Sequence, residues 1–323
     1  MHMKDQQLKN YIEAPILLIG FNRPDDMQQV FDVVRNEQPR KLYYAVDGAR
    51  PNKNEDDKVQ KVRDIIKQVD WPCEVHTLFR DKNVGCGFGP SGAISWAFEN
   101  EDRLIVLEDD CVPSRSFFRF CNEMLERYKD DERVNIISGR SHHSGSRFFK
   151  NKDYIFTHYA HTWGWATWKR VWDQFDMYMK DAPEWVDDGG CINTSPSQKI
   201  GERANKHILE KYQHIEDEVR HSWDSQWAYT RQKTGGLGIV PSHNLIHNIG
   251  NVGTHANSLE NVDMPAEDMP EILRHPKFVV ANREYEIYHY KHFISPKPSF
   301  VKRAIGKIRR EGFVNAVRNY WGK

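Results

Sequence analysis

The fold class predicted by this sequence is α/β, built on a mainly parallel central sheet, and three observations predict it. Uninterrupted apolar runs recur at residues 14–21 (APILLIGF), 41–46 (KLYYAV), 74–79 and 103–107. Between them lie stretches with helical spacing, such as Met27, Val30, Phe31 and Val34, then Val59, Val62, Ile65, Ile66 and Val69. Each of three runs also stops at a turn or charge signal: Asn22-Arg23-Pro24, Asp47-Gly48, and Glu108-Asp109-Asp110. Continuous apolar strands of this kind suit a sheet covered on both faces.

Taken in order, the first strand is broken by Asn22-Arg23-Pro24, and Pro24 opens a helix. The second strand ends at Asp47-Gly48, and a helix starts near Glu55. After the third strand, Arg80 to Gly92 reads as a Gly-rich loop leading into a helix from Ala93 to Phe98. The fourth strand runs into the acids, and Ser114 can cap a helix carrying Phe117, Phe118, Phe120, Cys121, Leu125 and Tyr128. Val134 to Ser138 is a short strand. Beyond Gly139 the pattern is less regular and Trp-rich, through Trp163-Gly164-Trp165-Ala166-Thr167-Trp168. A helical segment over 197–218, a strand at Gly238 to Pro241 and the loop HNLIHNIGNVGTH follow. No internal repeat or low-complexity tract occurs. We expect an α/β half at 14–139, a second half at 140–260, and an extension at 261–323.

Forty-six basic and 46 acidic side chains cancel, so no global field points to nucleic acid. Aromatic residues make up 12%, with ten Trp, a composition found in carbohydrate grooves, although any single one is more often a large core or interface residue. Five Cys without CxxC spacing read as free thiols in a reducing compartment. The polar start MHMKDQQLKN is unlike a signal peptide, and no run has the length of a membrane span. The expectation is a cytoplasmic protein, with peripheral contact to the cytosolic face of a membrane. That contact would come from the last 26 residues, where seven Lys or Arg face a single acid, Glu311, beside an apolar stripe. A basic helix packed back on the domain is the other reading of the same residues.

The three consecutive acids, Glu108, Asp109 and Asp110, also have two readings. They can start a loop and cap the next helix. Alternatively, at the carboxyl end of a buried strand, where ligands of open α/β sheets bind, they can hold a divalent cation against a substrate phosphate. His142-His143, His158 with His161, and His243 with His247 lack Cys at ligand spacing and any HExxH pattern, so they are read as structural or substrate contacts.

Several landmarks, in order over residues 14–256, resemble the N-acetylglucosaminyltransferase I family of glycosyltransferases and, more broadly, the GT-A fold that binds nucleotide-diphospho-sugars. APILLIGFNRP resembles that family's opening strand, which places Arg23 near the nucleotide. YYAVDG resembles its second strand, with Asp47 on the uracil. LIVLEDDCVPSRSFFRFCNEMLERY is similar to its EDD strand and aromatic helix. This implies Asp110 as the metal ligand, and Glu108 and Asp109 on the donor sugar and ribose. Gly164-Trp165 matches an acceptor wall, Trp223-Asp224 a Trp-Asp pair whose Asp is the catalytic base, and Gly253-Thr-His255 a turn near the donor phosphates. The family's His in the helix before the EDD strand has no counterpart in GPSGAISWAF, and Lys169 to Arg220 has no close match.

The resemblance implies an inverting, metal-dependent transfer of a sugar, such as N-acetylglucosamine from a UDP-sugar, to a glycan or lipid-linked acceptor in polysaccharide biosynthesis. Mn²⁺ or Mg²⁺ would need only one or two protein carboxylates. Asp110 fits as one ligand, and His255 can reach the metal or a phosphate. Asn83 and Gly85 belong to a Gly-rich segment able to approach the donor through backbone N–H groups. The base is expected at Asp224, flanked by Trp223 and Trp227, although Asp224 also suits a helix cap; Asp217 and Asp187-Asp188 are the alternatives. Two other functions compete. A sugar nucleotidyltransferase would carry a Gly-rich basic signature where FNRPDD stands, and a non-catalytic carbohydrate-binding protein would not need Glu108, Asp109, Asp110 and Asp224 together.

Overall fold

The computed structural model describes residues 12–250 and 264–295. The chain divides into two compact units, the first ending at Asn282 and the second starting at Arg283. Residues 264–282, expected in the C-terminal extension, therefore belong to the first unit. They are tied there by Arg274 on Asp153 and by the Ser116 N–H donating to Asp268 (3.0 Å).

In the first unit, β1 (Ile16–Gly20), α1 (Pro24–Glu37), β2 (Lys41–Val46), α2 (Asp56–Ile65), β3 (Glu74–Phe79), α3 (Gly85–Ala97) and β4 (Arg103–Glu108) alternate strictly. The apolar positions expected to face inward in α1 and α2, from Met27 to Ile65, are buried, as are all of β1 and the middle of β4. Burying these aliphatic faces against the sheet is the main stabilising term, at ~25 cal/mol per Å² of apolar surface. After β4 come β5 (Cys111–Pro113), α4 (Arg115–Arg127), β6 (Val134–Ser138), β7 (Tyr154–Thr157) and β8 (Trp165–Trp168). Five helices follow: α5 (Lys169–Trp172), α6 (Ala182–Asp187), α7 (Gly190–Thr194), α8 (Gln198–Gln213) and α9 (Ile215–His221). Then α10 (Asp224–Lys233), β9 (Leu237–Pro241) and β10 (Ile246–Asn248) complete the described elements of the unit. The second unit holds α11 (Arg283–His289), continued by a π-helical turn to Ile294, with the Tyr285 ring stacked on His289.

The main sheet has eight strands in the order β3-β2-β1-β4-β8-β6-β9-β7. Pairs among β3, β2, β1 and β4 are parallel, β8 is antiparallel to both β4 and β6, β9 is parallel to β6, and β7 is antiparallel to β9. A small sheet pairs β10 with β5. The mainly parallel α/β class is thus observed.

Three local expectations change. The Gly-rich segment is helical from Gly85 rather than from Ala93, because its glycines serve close packing. A Cβ on Gly87 would run into the carbonyl oxygen of Val219 in α9, so the two helices touch backbone to backbone there. The Trp-rich stretch, expected to be irregular, supplies β8 in the middle of the sheet. Ser114 precedes α4, but its side chain caps nothing; Asp268, far along the chain, accepts from Ser116 N–H instead. His255 and the basic C-terminal helix lie outside the described residues. Among the described residues no helix is long and apolar enough to cross a membrane. All five cysteines are free.

Candidate active site at the carboxyl ends of β1 and β4

From β1 the chain moves outward through β2 to β3, then returns to place β4 on the other side of β1. The carboxyl ends of β1 and β4 therefore flank the point where strand order reverses, the place where open α/β sheets bind ligands. Pairing of Ile19 with Glu108 brings the FNRP turn directly beside the acid triplet.

Arg23, held by that turn at the start of α1, reaches across to the acids. Its guanidinium pairs with Asp109 Oδ1 and donates to Asp110 Oδ2 at 3.0 Å. The Phe21 N–H donates to Asp109 Oδ2 at 3.3 Å. Burial alone would lower the Arg23 pKa, but Asp109 and Asp110 together outweigh it and raise it. Asp109 is buried; desolvation pushes its carboxyl up, against the pull of Arg23. Glu108 is pushed up to about 8, first by desolvation and then by repulsion from Asp110 and Asp109. The cluster is therefore short of positive charge even with Arg23 in place.

Asp47, at the end of β2, is also buried. Its carboxylate accepts the N–H groups of Gly48 (2.9 Å), Val84 (3.1 Å) and Gly85 (3.3 Å). It thus serves the N-terminus of α3, whose first N–H groups have no partner within the helix. Desolvation raises its pKa, opposed by these backbone donors and by Arg80. Asn83 donates to the Gly48 carbonyl (2.9 Å), and Gly85 has φ +88° beneath the Arg220 carbonyl. Asn83 and Gly85, expected to approach a donor, direct these polar groups to the protein itself. The reason is that the segment is a helix start bound to Asp47, not an open loop.

Asp224 is exposed in the first turn of α10. Its Oδ1 accepts the Ser225 N–H (2.9 Å) and the Ser222 hydroxyl. It lies within electrostatic reach of Glu108, as does Cys86 in the first turn of α3. The fold therefore gathers Arg23, Glu108, Asp109, Asp110 and Asp224 around one place. Cys86 was not singled out from the sequence, since a thiol within GCG gives no signal without the helix that orients it. Arg80, acting on Asp47 from the end of β3, was likewise invisible.

The acceptor wall is corrected. Trp165 is 0% and Trp223 4% exposed, and the two rings stack on each other at 5.8 Å. Gly164, at φ +59°, has its would-be Cβ against Ile246, and its carbonyl accepts the Gly139 N–H at 2.7 Å. With Trp172 and Trp227 these residues build an aromatic core behind Asp224 instead of a surface.

A divalent cation suits the chemistry at Asp110, which is partly exposed and uses Oδ2 for Arg23 while, among the described residues, Oδ1 meets only the Cys111 thiol (3.3 Å). Among the described residues no three His, Cys, Asp or Glu are arranged to hold a metal, so substrate oxygens and water would have to complete the shell, as Mg²⁺ commonly requires. The loop after β10 passes the same carboxylate: the Ile249 N–H donates to the Asp110 carbonyl (2.8 Å), and a Cβ on Gly250 would lie 2.5 Å from Asp110 Oδ2. His255 follows five positions later, outside the described residues.

No family model matches the chain, and no curated protein matches it. Among solved structures, it is similar to the mannosyltransferase PcManGT from Pyrobaculum calidifontis, in complex with GDP-Man and Mn²⁺, at 12% identity over 51% of this chain and 47% of that one (TM-score 0.36). It is similar to S. aureus TarS 1–349 at 9% identity over 51% and 49% of the two chains (TM-score 0.36). HddC from Yersinia pseudotuberculosis, complexed with GMP-PN, matches at 9% identity over 49% of this chain and 78% of its own (TM-score 0.31). The chain thus spans about half the length of the first two neighbours.

Proposed function

We propose that this chain is an inverting glycosyltransferase of GT-A type that moves a sugar from a nucleoside-diphosphate donor to a hydroxyl acceptor. One observation carries the reading: Arg23, Glu108, Asp109 and Asp110 meet where the strand order reverses, with Asp224 in electrostatic reach. Arg23 keeps Asp109 and Asp110 oriented across the β1–β4 boundary. Glu108 and Asp109 accept hydrogen bonds from donor hydroxyls. Asp110, with His255 as its candidate companion, would hold Mn²⁺ or Mg²⁺, which neutralises charge on a departing diphosphate.

Asp224 takes the proton. The acceptor oxygen forms its bond to the anomeric carbon as the bond to the diphosphate breaks, and the diphosphate leaves with the electron pair. The acceptor proton passes to the Asp224 carboxylate, which the Ser222 hydroxyl and Ser225 N–H hold in place. UDP-N-acetylglucosamine is the donor we would try first.

The test is transfer or hydrolysis across UDP- and GDP-sugars with and without Mn²⁺. We expect metal-dependent turnover with at least one donor, lost by about 10²-fold or more in Asp110→Ala and Asp224→Asn. An Asp224→Asn protein with the wild-type rate removes Asp224 as the base, and no turnover with any donor favours a carbohydrate-binding protein.

A further inference from the structure

Arg231, in α10, is 5% exposed, and only one of its nitrogens is used: Nη2 donates to the Ala160 carbonyl at 3.0 Å. Its Nε and Nη1 are buried without a partner among the described residues. Burial pushes its pKa down to about 10, and no carboxylate pulls it back. Its guanidinium lies 6.0 Å from the Trp227 ring, and Trp227 lies 5.7 Å from Trp165. Both indole N–H groups are also buried without an acceptor among the described residues. Three adjoining side chains thus leave donors orphaned, where buried polar groups are ordinarily paired. A buried cation without a counter-ion is costly, and protein interiors keep one only when something offsets it.

We propose that Arg231, with the Trp227 and Trp165 indoles beside it, forms a binding site for a small oxyanion, a phosphoryl or carboxylate group. An oxyanion supplies acceptors and negative charge only, which matches the two unpartnered nitrogens of the Arg231 guanidinium. Arg231 lies seven residues beyond Asp224, two turns along the same helix or about 10 Å. The anion site therefore lies two helical turns along α10 from the proposed base. It goes beyond the transfer reaction, and its test does not depend on turnover.

The experiment is calorimetric melting of the full-length protein in phosphate, acetate or chloride at equal ionic strength. We expect a saturable rise in Tm over chloride, roughly 2–4 °C at about ten times Kd. Saturation separates binding from the general stabilisation that phosphate gives by exclusion from protein surfaces. A rise with phosphate alone identifies a phosphoryl ligand, and one with acetate alone a carboxylate. Arg231→Met should abolish the rise; Arg231→Lys, which keeps the charge but has fewer donors, should at least halve it and serves if the Met variant does not fold. No saturable rise in the wild type, or the same rise in Arg231→Lys, overturns the site and leaves buried water on these donors.

Discussion

In the first half of the sheet, β1 and β4 are aliphatic runs and β2 an apolar one with two Tyr, paired in parallel, with helices between them. One position further, β8 is four residues with two Trp, and it runs antiparallel between β4 and β6. The first half is held by many interchangeable aliphatic contacts, so any one side chain matters modestly. The second half is held by a few large rings: Trp165, Trp172, Trp223 and Trp227 with Phe175. Charge follows the same division. The aliphatic half carries the acid cluster at its carboxyl ends, whereas the aromatic half carries the buried Arg231.

The sharpest way to break this contrast is Trp227→Ala. Trp227 is fully buried against Trp165 (5.7 Å) and Trp172 (5.0 Å), and its loss should cost about 3–5 kcal/mol by denaturant unfolding. If it costs no more than Ile105→Val, typically about 0.5–1.5 kcal/mol, the aromatic half is not a packed core. Next comes Gly87→Ala, at the backbone contact of α3 with α9. A methyl group there must separate the helices, at about 1–3 kcal/mol, whereas Lys61→Ala on the exposed face of α2 should be near neutral by the same melt.

The last test is one of pH. His161, half-buried and facing Arg231 and Arg140, is pushed down to about 3, first by desolvation. Between the ordinary value near 6.5 and about 3, the unfolded chain binds a proton that the folded chain does not. Stability from this group is therefore complete above pH 6.5 and falls as pH drops, by at most about 1.4 kcal/mol per unit. His161→Gln should flatten that part of the stability-against-pH curve; an unchanged slope would remove His161 as its source.

The aliphatic half was legible because a fully buried strand announces itself as a continuous apolar run ended by a turn. Asp109 and Asp110 were legible for the same reason, since they follow such a run, whereas Arg23 was singled out through the resemblance alone. β8 was not, since WATW is too short for periodicity and Trp is as common in grooves as in cores. The start of α3 was hidden because Gly argues for a loop until the partner backbone of Val219 is known. Arg231 was silent in the sequence, as burial and missing partners leave no mark on residue order.

The position of β8 has a consequence for synthesis. Strands β1 to β4 can pair as soon as residue 108 has left the ribosome, but the free edge of β4 is covered only by residues 165–168. Until then the nascent chain presents an apolar strand edge, the kind that pairs with other chains. A fragment ending after β6 is accordingly expected to aggregate where one ending after β9 stays dispersed, a difference that light scattering of the two translated fragments would register.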